Sequence, residues 1–462
     1  MDDIGYSDIS VYGREFGNLL TETPNIDELA SEGMMFTQAY APSPLCSPSR
    51  ASLLTGKSPA RLNFEFVTKY EGSIYDNNDE WAKHWSARQL VPPPFALNLP
   101  LEEVTMAEML RDAGYETGIC GKWHVAAHHQ HYLGWSKTHG PKQQGFDYAA
   151  ETFGSHPYRR YDEEMHSHLK PLEIGEYPKD ELTDKASEFL KRTHEQPFFL
   201  FVSHYYAHTP LDTVAPWLLD KYKQKGGEGI TNARILYAAF IETLDHYIGN
   251  LLSALESSGH AENTLVILTS DNGGHPNTAF NRPFRGSKWN LYEGGIRVPM
   301  IIRWPGVVTP GQTSASTVIQ TDIMPTLREI LSIDEDSNID CDGVSILPIL
   351  KQSSISKAER TVTWHFPYYH PEGKEFEKAK QFIGIEDGYI SQTTPQSAIR
   401  SGDMKLVYFY ADERTELYDL SNDVKEENDL SGDSTALASE LKDKLLEHLE
   451  KSGARTPQPN KK

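Results

Sequence analysis

Three short apolar runs, each ending in a cluster of polar residues, constrain what this chain can fold into. They are T-G-I-C (117–120), P-F-F-L-F-V (197–202) and T-L-V-I-L-T-S (264–270). Their continuous apolar character reads as buried strand. Just past them stand Lys122 and His124, then His208, then Asp271 with Asn272. Ligands of open α/β sheets bind beyond the carboxyl ends of the strands. The pattern obeys that rule, and the expected fold is α/β, with a large central, mostly parallel or mixed sheet flanked by helices. Helices are signalled by N-I-D-E-L-A-S-E before Gly33 and by a T-M-A-E capping box at Thr105 and Glu108. A longer amphipathic one carries Ile235, Leu236, Ala239, Phe240, Leu244, Ile248, Leu251, Leu252 and Leu255 on one face, with Gly259 after it.

Toward the end the pattern changes. A polar segment near Lys351 to Arg360 reads as a linker, dividing a catalytic domain (1–355) from a smaller C-terminal domain (356–462). Past it, A-I-R-S-G-D-M-K-L-V-Y-F-Y and E-L-Y-D-L alternate as an antiparallel hairpin does, and a last amphipathic helix runs from Ser434 to Lys451.

The stretch with the most chemistry is C-S-P-S-R-A-S-L-L-T-G, from Cys46 to Gly56. A turn proline opens a short helical run that Leu53 and Leu54 anchor inward. Cys46 then sits at a helix N-terminus, where unpaired N–H groups favour negative charge. Arg50 adds a positive group to the same place. A lone cysteine is more often a small buried apolar residue. Here the whole string matches C-x-P-S-R-x-x-x-L-T-G, and the chain thereby resembles the type I sulfatases of the alkaline phosphatase superfamily. The resemblance implies that a maturase reading C-x-P-x-R oxidises Cys46 to formylglycine.

Further motifs carry the same resemblance. G-K-W-H implies that Lys122 binds sulfate and that His124 lies against formylglycine. S-H-Y-Y-A-H-T-P implies a sulfate-contacting His208, with Ala207 where the family usually has proline. F-R-G-S-K-W-N-L-Y-E-G-G-I-R-V-P puts Lys288 at the second sulfate-binding lysine, followed by Trp289 where glycine is common. The catalytic set is thus Cys46, Arg50, Lys122, His124, His208 and Lys288. Adjacent acids at a terminus usually mark a solvated end. By resemblance, Asp2 and Asp3 join Asp271, Asn272 and the modified Cys46 around one calcium ion, and oxygen donors suit such a hard cation. The family carries a similar Asp-Asp-x-Gly-Tyr just after its first buried strand. That strand and any export signal are expected upstream of Met1, with a periplasmic or secreted setting.

Substrate contacts are expected from aromatic residues on loops, although packing is the commoner fate of a tryptophan. Trp81 and Trp85 lie in a long irregular stretch (63–100), Trp289 beside Lys288, and His365 opens H-F-P-Y-Y-H, with Tyr368 near. The histidines at 128, 129, 131 and 139 fit no structural zinc pattern and read as loop residues, some near substrate.

With 44 Lys and Arg against 66 Asp and Glu, the net charge of −22 disfavours nucleic acid and anionic lipid as partners. Three cysteines imply no disulfide framework, and no apolar run spans a membrane. The reading is a sulfatase acting on a sulfated carbohydrate. The alternatives are a phosphomonoester or phosphonate hydrolase of the same superfamily and a catalytically silent carbohydrate-binding protein.

Overall fold

The computed structural model describes residues 1–71, 81, 83–158, 171–334, 339–351, 360–369 and 394–460. In chain order its main elements begin with helix α1 (Pro24–Glu32), strand β1 (Met34–Phe36), helix α2 (Cys46–Thr55) and helix α3 (Met106–Asp112). Strands β2 (Glu116–Gly121) and β3 (Tyr148–Ala150), helix α4 (Glu181–Leu190) and strand β4 (Phe198–Ser203) follow. Then come helix α5 (Asn232–Ser258) and strands β5 (Val266–Thr269), β6 (Met300–Arg303) and β7 (Gln312–Ser314). The C-terminal part holds β8 (Thr361–Phe366), β9 (Gln396–Ser401), β10 (Met404–Phe409), β11 (Thr415–Asp419) and helix α6 (Thr435–Lys451).

Local signals place these elements well. Thr105 and Glu108 form the capping box of α3, and Thr231 caps α5, which ends at Gly259 in the left-handed conformation (φ 77°). All three apolar runs are strands: β2, β4 and β5. β2 pairs in parallel with β3 on one side and β4 on the other. β5 belongs to a mixed sheet in the order β5-β6-β1-β7, antiparallel except for β1 with β7.

Period-2 alternation gives the second sheet two apolar faces. Met300 and Ile302 enter a core shared with α2 and α3, while Ile301 enters one shared with α1 and α5. Helices therefore pack on both faces of the sheet at β6, while the edge strand β5, expected to be buried, is half-buried. Met1 and Asp2 join the two sheets at their carboxyl ends. The Met1 amino group donates to the Thr269 carbonyl at 2.9 Å, and the Asp271 N–H donates to the Met1 carbonyl. On the other side the Asp2 N–H donates to the Tyr206 carbonyl, and the Ala207 N–H to the Asp2 carbonyl. This fixes two adjacent acids beside the ends of β2, β4 and β5.

The expected hairpin is part of a four-stranded antiparallel meander, β8-β9-β10-β11, with α6 packed on it through Ala438, Leu441, Leu445 and Leu449. The expected linker at 351–360 falls almost wholly on 352–359, outside the described residues, as do 72–80 and 82 of the irregular stretch and His370. No helix among the described residues is long and apolar enough to cross a membrane.

Candidate active site

Helix α2 is buried along its entire length, and its first residue is Cys46. The preceding Leu45 is extended and offers no side-chain cap, so the first-turn N–H groups are left to serve something else. Gly56 ends the helix at φ 70°, where a Cβ would come within 2.8 Å of Cys341 Sγ. Burial pushes the Cys46 thiol up, and the nearby Lys122 and Lys288 charges do not reverse this. Unmodified, the residue is a protonated thiol at neutral pH and a poor nucleophile.

Around Cys46, charges from remote segments meet in pairs. Arg50 Nε and Nη2 donate to Asp271 Oδ2 at 3.0 and 2.8 Å. Lys122 Nζ donates to Asp2 Oδ2 at 2.5 Å, and Lys288 Nζ to Asp3 Oδ2 at 2.5 Å. Arg50 is also anchored on the Ser203 hydroxyl at the end of β4. All six groups are buried, and their formal charges cancel. Burial opposes ionisation of Asp3, but Lys288, His208 and Lys122 outweigh it and hold the carboxyl well below its usual range. Burial and the Asp2 carboxylate push Asp271 up, against Arg50.

Two oxygens in this set are buried with no hydrogen-bond partner: Asp2 Oδ1 and Asn272 Oδ1. Asn272 is oriented by its own amide, whose Nδ2 donates to Asp3 Oδ1 at 2.7 Å and to the Gly273 carbonyl at 2.8 Å. Donor atoms of Asp2, Asp3 and His208 lie within 4.8 Å of one another. Unsatisfied buried oxygens beside three carboxylates fit a hard divalent cation, with oxygen donors from Asp2, Asp3, Asp271 and Asn272.

The two histidines differ in surroundings. His124 has a left-handed backbone (φ 56°), as do Asp3 (57°) and Trp289 (79°), so strained residues cluster here. Burial first, then Lys122, hold the His124 imidazole neutral, and its Nδ1 has no partner. His208 Nδ1 lies 2.5 Å from the Thr209 carbonyl and 2.5 Å from the Tyr158 hydroxyl. A carbonyl only accepts, so Nδ1 carries the ring proton and Nε2 is the acceptor. The Lys288 ammonium donates to that Nε2 at 3.2 Å. Burial, reinforced by Lys288, lowers His208 to about 3.

The expected substrate contacts are placed differently. Trp81 is packed between Trp85 and Phe95, both 5.5 Å away, and its Nε1 donates to the Pro92 carbonyl. It borders a cavity of about 430 Å3, lined with Val91, Pro92, Pro93, Pro94, Arg455, Thr456 and Gln458 and none of the catalytic candidates. Trp85 stacks on Tyr369 at 5.6 Å, and Tyr368 joins the same cluster. His365 sits on β8, fully enclosed, facing the Ser397 hydroxyl at 2.7 Å and the Arg455 carbonyl at 3.0 Å. Trp289 is only 3 % exposed, with Lys288 Nζ 5.6 Å from its ring centre, so it backs the lysine rather than offering an open face. The cause is the same throughout: large rings gain more from core burial than from a rim position.

A row of rings that no sequence motif marks lies beside the site. Tyr70 and His128 are 5.1 Å apart, His128 and Tyr132 4.9 Å, Tyr132 and Tyr158 5.5 Å, and Tyr158 and His208 5.7 Å. Tyr70 is 45 % exposed, so the row runs from solvent to His208. Beside it, the Thr68 N–H donates to the Ser47 hydroxyl, next to Cys46. Nothing local in the sequence marks these tyrosines; the loop histidine at 128 was the only hint.

Three cations, three carboxylates and a cysteine at a helix N-terminus thus meet in one buried cluster. The sequence model of the sulfatase family matches residues 1–333, and that of the N-sulphoglucosamine sulphohydrolase C-terminal region matches 286–453. A sulfatase of Formosa agariphila is 31 % identical, over 98 % of this chain and 88 % of that protein. The human N-acetylgalactosamine-6-sulfatase is 32 % identical over 77 % of this chain, and the match spans 65 % of the human protein. The crystal structure of Ps i-CgsB in complex with k-i-k-neocarrahexaose superposes with a TM-score of 0.72 at 25 % identity, covering 97 % of this chain and 91 % of that one. The phosphonate monoester hydrolase of Agrobacterium radiobacter, at 20 % identity and a TM-score of 0.65, is alike in fold alone. The chain belongs to the sulfatase family of the alkaline phosphatase superfamily. It is a sulfuric ester hydrolase.

Proposed function

We propose that this enzyme removes sulfate from a carbohydrate sulfate ester, with formylglycine made from Cys46 by a maturase and one calcium ion on Asp2, Asp3, Asp271 and Asn272. The observation that carries the reading is the pair of unsatisfied oxygens on Asp2 and Asn272, beside ammonium groups and the first turn of α2. Once formed at residue 46, the aldehyde hydrate would supply a hydroxyl nucleophile, and a calcium ion held by Asp2, Asp3, Asp271 and Asn272 would supply positive charge for the sulfuryl group. Lys122, Lys288 and Arg50 add fixed cations that stabilise charge developing there, in a site with little water to reorganise. Neutral His124, with Nδ1 unpartnered, is suited to take a proton beside Cys46. The proton between this pair sits on the Lys288 ammonium, which donates to His208 Nε2, and relayed through that nitrogen it would reach the leaving oxygen.

Support for a sugar comes from the ring row that ends at exposed Tyr70, because aromatic faces suit sugar rings. The human relative is named for an N-acetylgalactosamine sulfate, and the superposed crystal complex holds a neocarrahexaose. The test is sulfate release across a panel of sulfated mono- and polysaccharides, with matched aryl sulfate and aryl phosphate as references. Release from saccharides is expected; turnover confined to aryl sulfate removes the carbohydrate, and faster phosphate turnover reassigns the ester.

A further inference from the structure

Lys288 lies on a stretch, 285–297, with little regular structure of its own: one short helical turn, Glu293–Ile296. Backbone bonds to Gly274 and Pro44 hold its inner side at Lys288 and Trp289. Its outer side is held by side chains from beyond residue 395. The Leu291 N–H donates to Gln396 Oε1 at 3.2 Å, and the Glu293 N–H to Glu426 Oε2 at 2.7 Å. Lys405 Nζ stands 2.9 Å from Glu293 Oε1 and 2.8 Å from Glu426 Oε1. The Tyr292 hydroxyl donates to Glu416 Oε2 at 2.6 Å, and Arg285 Nη1 to the Tyr418 hydroxyl at 2.9 Å.

Gln396, Lys405, Glu293 and Glu426 are all 0 % exposed. Buried ion pairs are weak sources of stability compared with apolar packing, whereas a satisfied buried polar network admits few alternative positions. Here the groups satisfied are the loop's own backbone donors, at its third and fifth positions past Lys288. Glu293 is bound on its far oxygen by the Tyr40 hydroxyl at 2.6 Å, from outside the loop, and by the loop's own Arg297 at 3.2 Å.

We propose that Gln396, Lys405, Glu416 and Glu426 are positioning residues for Lys288: the C-terminal sheet clamps 285–297 and thereby sets the ammonium between Asp3 and His208. The inference rests on the role given to Lys288 above. Activity then depends on the meander through one lysine, and a displacement near 1 Å at a reacting group costs on the order of 100-fold.

The test measures kcat/KM of the matured enzyme on nitrophenyl sulfate, and affinity of the unmodified protein for inorganic sulfate by calorimetry. Lys405→Met and Gln396→Leu cut the clamp. Tyr292→Phe keeps the ring and leaves Glu416 bonded to Tyr418, so it decides the matter if the others do not fold. A loss of about 10- to 100-fold, mainly in kcat, with weaker sulfate binding, is expected. In a Lys288→Ala background the same substitutions should cost no more than about twofold, because the group they position is gone. Lys444→Ala, on an exposed ion pair of α6, should change neither quantity. Full additivity of the losses with Lys288→Ala overturns the clamp and leaves only a structural role. Unchanged activity and sulfate affinity in Lys288→Ala itself instead overturn the role of that lysine.

Discussion

Lys122 Nζ lies 2.5 Å from Asp2 Oδ2, across 120 residues of sequence. One oxygen of that carboxylate is thus taken by an ammonium, while the other, Oδ1, is buried without a hydrogen bond, 4.0 Å from Arg50 Nη2. On the proposed reading, Asp2 bridges the lysine assigned to sulfate and the site assigned to the cation. Calcium should therefore bind the unmodified protein and raise its melting temperature; at 100 times Kd the gain is about 2.7 kcal/mol. Asp2→Asn and Asn272→Ala should weaken this response in differential scanning calorimetry with and without chelator. A wild-type melting curve indifferent to calcium removes the cation from the site.

The thiol of Cys46 is held protonated by burial. Active enzyme should therefore carry the aldehyde, about 18 Da lighter than cysteine, in the peptide containing residue 46. Mass spectrometry of protein made with and without a maturase checks this. Activity from protein bearing only unmodified Cys46 would contradict the mechanism.

The Tyr158 hydroxyl and the Thr209 carbonyl fix the ring proton of His208 on Nδ1 and turn Nε2 toward Lys288. General acid catalysis contributes about 10²–10⁴-fold, most for poor leaving groups. His208→Ala should cripple sugar-sulfate cleavage while sparing nitrophenyl sulfate, and Tyr158→Phe should follow it more weakly. His124→Ala should slow all substrates alike. A leaving-group dependence in His124→Ala, and none in His208→Ala, exchanges the two roles.

Tyr70 is the exposed end of the ring row. Tyr70→Ala should raise KM for a saccharide sulfate by roughly 10-fold or more, the weight of an aromatic contact of about 1.5 kcal/mol, and leave nitrophenyl sulfate almost unchanged. Equal effects on both substrates turn the row into packing alone.

Glu65 is completely enclosed, and burial lifts its carboxyl to about 7, against Arg455 at 2.6 Å. A carboxyl raised on folding binds its proton more tightly in the native state, so stability is lost as pH rises from the ordinary glutamate range toward 7. Relative to Glu65→Gln, wild type should lose on the order of 3 kcal/mol across that window. Denaturant melts at pH 5 and pH 8 provide the comparison. A difference independent of pH shows that Glu65 does not titrate there.

What the sequence determined by itself is what depends on neighbours a few residues apart. The capping box at Thr105, the glycine stop of α5, the three apolar strands and the C-x-P-S-R string are all local patterns, and each stands where its spacing puts it. So do the polar residues past those strands, because a strand end fixes where the next few side chains emerge. Tertiary structure decided which rings are covered. Trp81 stands on a helical turn, Trp85 just past it and His365 on a strand, none with a local mark of burial, and it is the approach of Phe95, Tyr368, Tyr369 and Arg455 that encloses them. It also decided which distant groups meet: Tyr158 with His208, Lys405 with Glu293, Asp2 with Lys122. Such pairs join segments whose separation in sequence carries no period, and their energy exists only once the layers have packed.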